Sequence, residues 1–509
     1  MSDILKRLLD LGAEIKYKRQ GRLTLRDMIR IADIPLSSLD KSLLSELEHP
    51  IKQICFSRKR MVPDSIAFVS FGLYEESFQR MKKAVAGGAV AVVVKNAVPG
   101  IPCIVTPDPL NIYAKMCAYY RDLNKRVGST AVTGSIGKTT VKNMVASVYG
   151  EKFRTLVEPL NENEPDIVGF SAQHLSSHID KWVQEVAESI PGSASDMSLI
   201  MKPEVVIITT IDHSHIGRLG SIENIIDEAC GVADCLTEDG IVIVNKDEFY
   251  SYEKLNGKQV VTISMSDKTA NYFAGDIELK DDGFHYSIYE NTDSGIMSVR
   301  VHLHDIFAQH NVLNSLYAYA AGRHSGISPE MVARGLGKYK TTGYRNNVYR
   351  SVSGKDIIYA DCFNAVGRSI KAALDAASVI PIGNGCQRIA VLGDVQELGE
   401  AAVEEHKRIL ETINESNFDQ AILYGDNFKT AVSGMSFRSG LQVNTADSIE
   451  EIVSVLKPLL SKGNLFLFKS SHSGHLERCI EELWPKSFRK KEKEEMRLKT
   501  KWKIMLMLP

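Results

Sequence analysis

The chain has 509 residues, 44% of them apolar and 24% charged, with 61 Lys and Arg against 63 Asp and Glu. At ~100–200 residues per domain this length suits about three domains, each able to build a full core without disulfide or metal staples. The near-neutral charge offers no global basic field for nucleic acid, and no stretch approaches the ~20 apolar residues of a membrane span. Eight cysteines (Cys55, Cys103, Cys117, Cys230, Cys235, Cys362, Cys386 and Cys479) form no CxxC pair. They spell out no zinc set, and scattered thiols fit a reducing compartment. The opening MSDILKRLLDLGAEIKYKR carries charges throughout and lacks the apolar core of a signal peptide. These features predict a cytoplasmic, enzyme-sized protein.

In chain order, Ile66–Val69 reads as a strand, Phe78–Ala86 as a helix, and Ala89–Val94 and Cys103–Val105 as further strands. Leu110–Arg121 carries apolar residues at helical spacing, and Lys125–Gly128 looks like a linker. From Ser129 the pattern changes to a strand ending at Ala131-Val132, a Gly-rich turn and a helix over Val141–Tyr149. Val205–Thr210 and Ile241–Val244 are β-branched runs, the composition of strands covered on both faces. Residues 258–304 hold shorter alternating strands, and His310–Gly322 returns to helix. A third block from Tyr339 has strand candidates at Asp356–Tyr359, Arg388–Leu392 and Gln420–Tyr424, with helices at Lys371–Ala377 and Val403–Ile413. Strands alternating with helices predict α/β domains with mainly parallel sheets. The expected spans are 1–127, 128–338 and 339–487, followed by a charged tail over 488–509. The Lys- and Arg-dense run Lys486–Lys503 fits a solvated helix or disordered end better than an interaction arm.

The most informative stretch is Gly134-Ser135-Ile136-Gly137-Lys138-Thr139-Thr140, between a strand and a helix. Backbone N–H groups and the helix dipole there face an anion, so the turn is a phosphate cradle. Lys138 can reach the β and γ phosphates, and the Thr139 hydroxyl can bind Mg²⁺. Val132 stands where the GxxxxGK[ST] pattern has its first Gly, which makes this the shorter TGxxGKT form.

TGSIGKTT resembles the phosphate loop of the Mur ligases and folylpolyglutamate synthetases, which phosphorylate a carboxylate with ATP and let an amine attack the acyl phosphate. Further landmarks carry the resemblance over about residues 50–485. Trp182–Glu185, followed by Pro191-Gly192, is similar to the family strand that ends in an Mg²⁺-binding glutamate, which implies that role for Glu185. Thr209–His215 resembles the strand-end loop whose histidine approaches a second Mg²⁺, here His215, while His213 reads as an ordinary loop histidine. Gln309–Asn314 resembles the HNxxN helix start, whose asparagines, here Asn311 and Asn314, lie near the adenine. Gly343-Tyr344-Arg345 resembles the Gly-Arg opening the third domain, and Tyr359–Ala365 the DxYNA segment with Asp361 and Asn364; Ser369 fits a later serine. In the family that Arg and Asp reach the nucleotide on domain closure. Gly393–Gly399 with His406 resembles LGDMxELG…H, and Phe468–Ser471 with Glu477 the VKGS strand, which places Lys469 at the substrate side. The DxYNA and ELG pair is most like members that add D-alanyl-D-alanine to a UDP-muramoyl-tripeptide.

The resemblance implies three α/β domains: an acceptor-substrate domain (1–127), a central P-loop ATPase domain (128–338) and a Rossmann-like amine domain (339–487). It implies ATP and Mg²⁺ as cofactors, with Lys138, Glu185 and His215 catalytic. Gly134, Ser135, Gly137, Lys138, Thr139, Thr140, Asn311, Asn314, Arg345 and Asp361 would hold the nucleotide. Thr139, Glu185 and His215 would hold the metal. The partners would be a small-molecule or nucleotide-sugar carboxylate and an amino acid or dipeptide amine, with no nucleic acid.

Three departures bear on this. Asp227-Glu228-Ala229-Cys230-Gly231 stands where the family has a carbamylated lysine, so Glu228 (or Asp227) is the expected replacement carboxylate on the metal. Phe56-Ser57-Arg58 stands for the DSR motif beside the UDP-sugar, and Tyr74–Ser77 for DGH; Ser57 and Arg58 remain as substrate-side candidates, Arg58 as a phosphate partner. YNANP has become Phe363–Gly367, and the VKGS glycine is Ser470. Two other readings therefore stay open: a paralogue joining a different acid and amine in a capsule or natural-product pathway, and a catalytically weak nucleotide-binding homologue.

Overall fold

A computed structural model describes residues 23–56, 61–69, 77–158, 163–187, 191–212, 219–248, 253–341, 344–363, 365–396 and 398–487, with isolated positions between 489 and 497. The amphipathic opening and most of the charged tail lie outside these residues, as do Tyr74–Glu76 and Gly343.

The described strands sort into three sheets. The first is wholly parallel, in the order β1 (Gln53–Phe56), β2 (Ser65–Phe68), β3 (Ala89–Val94), β4 (Cys103–Val105). The AVAVVV run makes β3, and its near-complete burial explains its unbroken apolar composition. Three helices accompany this part: α1 (Leu25–Ile31), closed by a Thr24–Asp27 capping box, α2 (Phe78–Ala86) and α3 (Pro109–Asp122).

The central sheet contains β5 (Gly128–Thr133), β6 (Thr155–Val157), β7 (Lys181–Glu185), β8 (Val205–Ile208), β9 (Ile241–Asn245), β10 (Gln259–Ser264), β11 (Tyr272–Lys280), β12 (Gly283–Thr292) and β13 (Gly295–His304). Its nine strands run β13-β12-β11-β10-β9-β8-β5-β7-β6, parallel from β6 to β11, with β12 and β13 added antiparallel. Among the described residues four helices interleave, α4 (Lys138–Tyr149), α5 (Pro165–Gln173), α6 (Ser193–Met201) and α7 (Ile222–Gly231); α8 (His310–His324) and α9 (Pro329–Lys338) follow. Successive side chains divide between the two faces. Ala131, Trp182, Val206 and Val242 pack with α5, α6 and the first 120 residues. Val132, Val183, Ile207 and Ile243 pack with α4, α8 and α9.

The third sheet holds β14 (Asn347–Arg350), β15 (Ile357–Asp361), β16 (Arg388–Gly393), β17 (Gln420–Tyr424), β18 (Gln442–Ala446) and β19 (Leu465–Lys469). The order is β14-β15-β19-β16-β17-β18, all parallel except β14. Helices α10 (Gly367–Val379) and α11 (Ala402–Glu415) follow β15 and β16.

The structure shifts several of the element ends read from the sequence, and it shows where one helix is seated. The linker expected at Lys125–Gly128 is shorter, because Val127 is buried and Gly128 already pairs with Lys181 as the first residue of β5. Helix α3 sits on the central helices: Asn111 Nδ2 donates to Asp196 Oδ1 (2.8 Å), Tyr113 Oη to Asp166 O (3.2 Å) and Arg121 Nε to Met201 O (2.9 Å). Finally, Asp356 lies before β15; its carboxylate accepts from Ser461 N (2.9 Å) and Trp484 Nε1 (3.2 Å). Among the described residues no helix is long and apolar enough to cross a membrane.

Candidate active site

Strand β5 lies inside the central sheet, with β7 on one side and β8 on the other, and the chain leaves its carboxyl end through Gly134–Gly137. In an open α/β sheet, ligands bind at this crevice beyond the strand ends. Thr210 O accepts from Ser135 N and Ile136 N (both 3.0 Å), and Ser135 Oγ donates to Asp212 O (3.2 Å). The turn is thus stitched to the end of β8. Gly134 has φ +110°, and a Cβ there would lie 2.5 Å from Thr209 Oγ1. Gly137 has φ +95° and is the N-cap of α4; no side chain among the described residues caps this helix, whose N-terminus suits an anion. Lys138 Nζ donates to Gly134 O, folded back over the loop.

Glu185, last in β7, is buried and faces the loop. Thr139 Oγ1 donates to its Oε2 (2.8 Å), and Asn163 Nδ2 to its Oε1 (3.0 Å). Thr139 and Glu185 together form a hard oxygen pair suited to Mg²⁺. His215, the third expected ligand, lies outside the described residues, as do Ser57, Arg58 and Asn364.

Behind Glu185 is a buried Lys–Glu pair that sequence reasoning missed. Lys142 Nζ lies 2.9 Å from Glu158 Oε1 and also donates to Glu158 O (3.0 Å); both side chains are fully buried. Glu185 N donates to Glu158 Oε1 (3.4 Å), while Glu158 Oε2 has no partner among the described residues. Burial pushes the Glu158 carboxyl up to about 8, against the pull of Lys142 and with a push from Glu185. One signal was available: Lys142 shares a helix face with Thr139 and Val145, both buried.

Asn314 Nδ2 donates to Asn311 Oδ1 (3.2 Å), and Asn314 Oδ1 stands 3.0 Å from where a Gly137 Cβ would be, so α8 braces the phosphate loop. Asn311 is buried, and its Nδ2 has no partner among the described residues. An orphaned amide donor beside an open phosphate cradle is what a bound base or sugar would satisfy.

The third sheet presents Asp361 and Lys469, the last residues of adjacent strands β15 and β19, in register. Their buried side chains pair at 2.9 Å, and Asp361 Oδ1 accepts from Asn346 N (3.2 Å). Lys469, expected on the substrate side, is therefore bound to Asp361. Asn346 Nδ2 lies 3.4 Å from His310 Nε2, the first residue of α8, so the two units meet here. Burial lowers the His310 imidazole, Asp361 opposing and Lys469 assisting. Arg345 sits 3.8 Å over the Phe363 ring. Burial lowers its guanidinium, with Glu185 and Asp361 pulling it back up, so it lies within electrostatic reach of both units.

Glu228, expected on the metal, accepts from Gly192 N at Oε2 and from Ala194 N at Oε1, both at 2.8 Å. It caps the start of α6 from a neighbouring helix. Asp227 is exposed and lies 3.6 Å from Lys254. Ser369 Oγ accepts from Val366 N (3.0 Å) at the start of α10. The fully buried His406 accepts from Val395 N at Nε2 (3.1 Å) and donates from Nδ1 to Ala402 O (2.6 Å), positioning the loop after β16.

Fold and site define a three-part α/β protein with a phosphate loop at its centre and a third sheet facing the nucleotide crevice. The Mur ligase middle domain matches residues 132–322, and the Mur ligase glutamate ligase domain matches residues 345–472. The chain is 30% identical over 412 residues to the UDP-N-acetylmuramoyl-tripeptide–D-alanyl-D-alanine ligase of Bacillus subtilis, covering 79% of this chain and 86% of that protein. The protein of the same name in Treponema pallidum is 24% identical over 444 residues, covering 84% and 92%. Among solved structures, MurF from Acinetobacter baumannii superposes with a TM-score of 0.74 at 22% identity, covering 91% of this chain and 99% of that one. MurF ligase from Thermotoga maritima in complex with ADP gives 0.69 at 19% identity, covering 86% and 98%. The chain belongs to the Mur ligase family and is an ATP-dependent ligase that forms C–N bonds.

Proposed function

We propose that this ligase joins the carboxylate of a nucleotide-sugar peptide to the amine of D-alanyl-D-alanine through an acyl phosphate. The observation that carries the reading is the arrangement at β5: an anion cradle at Gly134–Lys138, backed by Thr139 and Glu185 and faced by Arg345 and Asp361 of the third unit. The B. subtilis relative carries the matching name, and the T. maritima structure holds ADP.

Lys138 and the α4 N-terminus stabilise negative charge as the γ-phosphoryl group transfers to the carboxylate. Mg²⁺, when bound at Thr139 and Glu185, neutralises phosphate charge. Arg345 and Asp361, the latter held by Lys469, reach the nucleotide from the third unit, and closure of that unit keeps water from the acyl phosphate. Arg58, with Ser57, is proposed to hold a phosphate of the nucleotide sugar, and Asn364 the amine.

The test is phosphate release with ATP, UDP-muramoyl-tripeptide and D-alanyl-D-alanine, compared with Lys138→Ala. Release dependent on both substrates, reduced at least ~100-fold in the variant, is expected. A second reading, the same chemistry on a different acid and amine, draws on Ser470, whose buried Oγ has no partner among the described residues where the family carries Gly. It is favoured if release requires other substrates yet still depends on Lys138.

A further inference from the structure

We infer that the outer face of the β12–β13 hairpin carries a second metal site, for a zinc-class divalent transition ion, built from His285, His302 and Asp282. It lies apart from the phosphate loop, and the ligase reaction gives it no task.

His285 and His302 stand directly opposite each other on β12 and β13. Their flanking residues Phe284, Tyr286, Val301 and Leu303 are buried in the core, so strand alternation turns both histidines outward. Asp282 comes from the turn between β11 and β12, and Asp305 N–H donates to its carbonyl (2.9 Å), which fixes the turn. Both imidazoles aim at Asp282: His285 Nε2 is 2.8 Å from Oδ1, and His302 Nε2 is 3.2 Å from the main-chain O and 3.3 Å from Oδ2. The three ligand atoms lie within 4.8 Å of one another. A tetrahedral ion with bonds of ~2.0–2.1 Å needs ligands about 3.3 Å apart, a spacing small side-chain rotations supply. The rings of His285 and His302 stack at 3.8 Å, and the ring of His304, two residues along β13, lies 3.5 Å from that of His302.

An ion bound at Nε2 of both rings, with the ring protons carried on Nδ1, sets one divalent charge beside the Asp282 carboxylate. Nearby Glu278 is paired with Lys280 at 3.1 Å and does not compete. Two imidazoles with a carboxylate select a borderline transition ion and discriminate against Mg²⁺, which takes oxygen ligands. Bound there, the ion would clamp the β11–β12 turn to β13, the strand that leads to α8 and the nucleotide site.

The test uses the untagged full-length chain, freed of metal by a chelator and held in excess Mg²⁺ and ADP so that the phosphate loop is occupied. Zn²⁺ titration by calorimetry, and Co²⁺ titration followed by its visible absorption, should each show one equivalent bound. The His285→Gln/His302→Gln variant should lose that equivalent, and Asp282→Asn should weaken it at least tenfold. Zn²⁺ should raise the melting temperature of the wild-type protein only. Variants are compared at matched metal-free melting temperatures; if the double variant does not fold, His302→Gln alone is read the same way. Absence of binding in the wild-type chain, or unchanged stoichiometry and affinity in the variants, overturns the site without touching the ligase assignment, which is read by phosphate release.

Discussion

At the scale of single residues, Lys142 and Glu158 show how far burial changes the meaning of a charge. Both are fully buried 2.9 Å apart, and Glu158 accepts from the backbone N–H of Glu185. Removing one partner of such a pair strands the other, at a cost of about 3–5 kcal/mol, whereas exchanging both for apolar residues is often neutral or stabilising. Glu158→Gln should therefore lower the melting temperature and the turnover together. Lys142→Met/Glu158→Leu should recover the melting temperature while turnover stays low, because Glu185 has lost the acceptor that fixes its backbone. Thermal unfolding and phosphate release measured on the same preparations decide it; recovery of turnover in the double variant would reduce the pair to scaffolding. A Lys and a Glu read from sequence are by default solvated, so only the apolar neighbours of Lys142 hinted at this pair.

At the scale of elements, the contact between α3 and α6 depends on Asn111 donating to Asp196 (2.8 Å). Burial raises the Asp196 carboxyl to about 6, with Asp108 and Glu228 adding to the rise and Asn111 opposing it. Its folded pKa thus exceeds its unfolded value of 3.8, and the folded state holds the extra proton between the two. The stability this contributes is complete below pH ~4 and is lost as pH rises through ~6. Asp196→Asn keeps the acceptor for Asn111 without the charge. It should raise stability at pH 7 by of order 1 kcal/mol after allowance for solvent screening. It should also flatten the decline across that window, as followed by melting temperature against pH; an unchanged slope would contradict the assignment. The elements themselves were largely legible: Ala89–Val94 and Gln420–Tyr424 form strands as read, and the run Val205–Thr210 forms one as far as Ile208, because burial on both faces demands such runs. The seating of α3 was not legible, because helical periodicity reveals an apolar face without naming what covers it. Nor was the cap supplied by Glu228, since a carboxylate beside a metal and one at a helix start look alike until Gly192 and Ala194 are placed.

At the scale of the molecule, the phosphate loop and its helix were readable from local spacing, whereas the way the third sheet meets them depends on residues with no motif. Phe307 and Ala308, between β13 and α8, are buried among side chains of the third unit, including Ile357, Tyr359 and Ile370. The segment that carries His310, Asn311 and Asn314 is thereby also the seat of the unit that carries Arg345, Asp361 and Lys469. Interfaces between units of one chain resemble transient protein interfaces, so relative movement is the default unless the seat is apolar and well filled. A Phe→Ala truncation in a filled core costs about 3–5 kcal/mol, and here most of that falls on docking, since the central sheet keeps its own clusters. Phe307→Ala should leave ADP affinity within about twofold, as the cradle at Gly134–Lys138 draws on β5, β8 and α4. Turnover should fall at least tenfold, because Arg345 and Asp361 are no longer held against the crevice and the acyl phosphate meets water. Calorimetric ADP binding, phosphate release, and amide product counted per phosphate released separate the cases. Fewer amide bonds per phosphate marks a loosened seat; equal loss of ADP binding and turnover would mean that Phe307 supports the cradle itself.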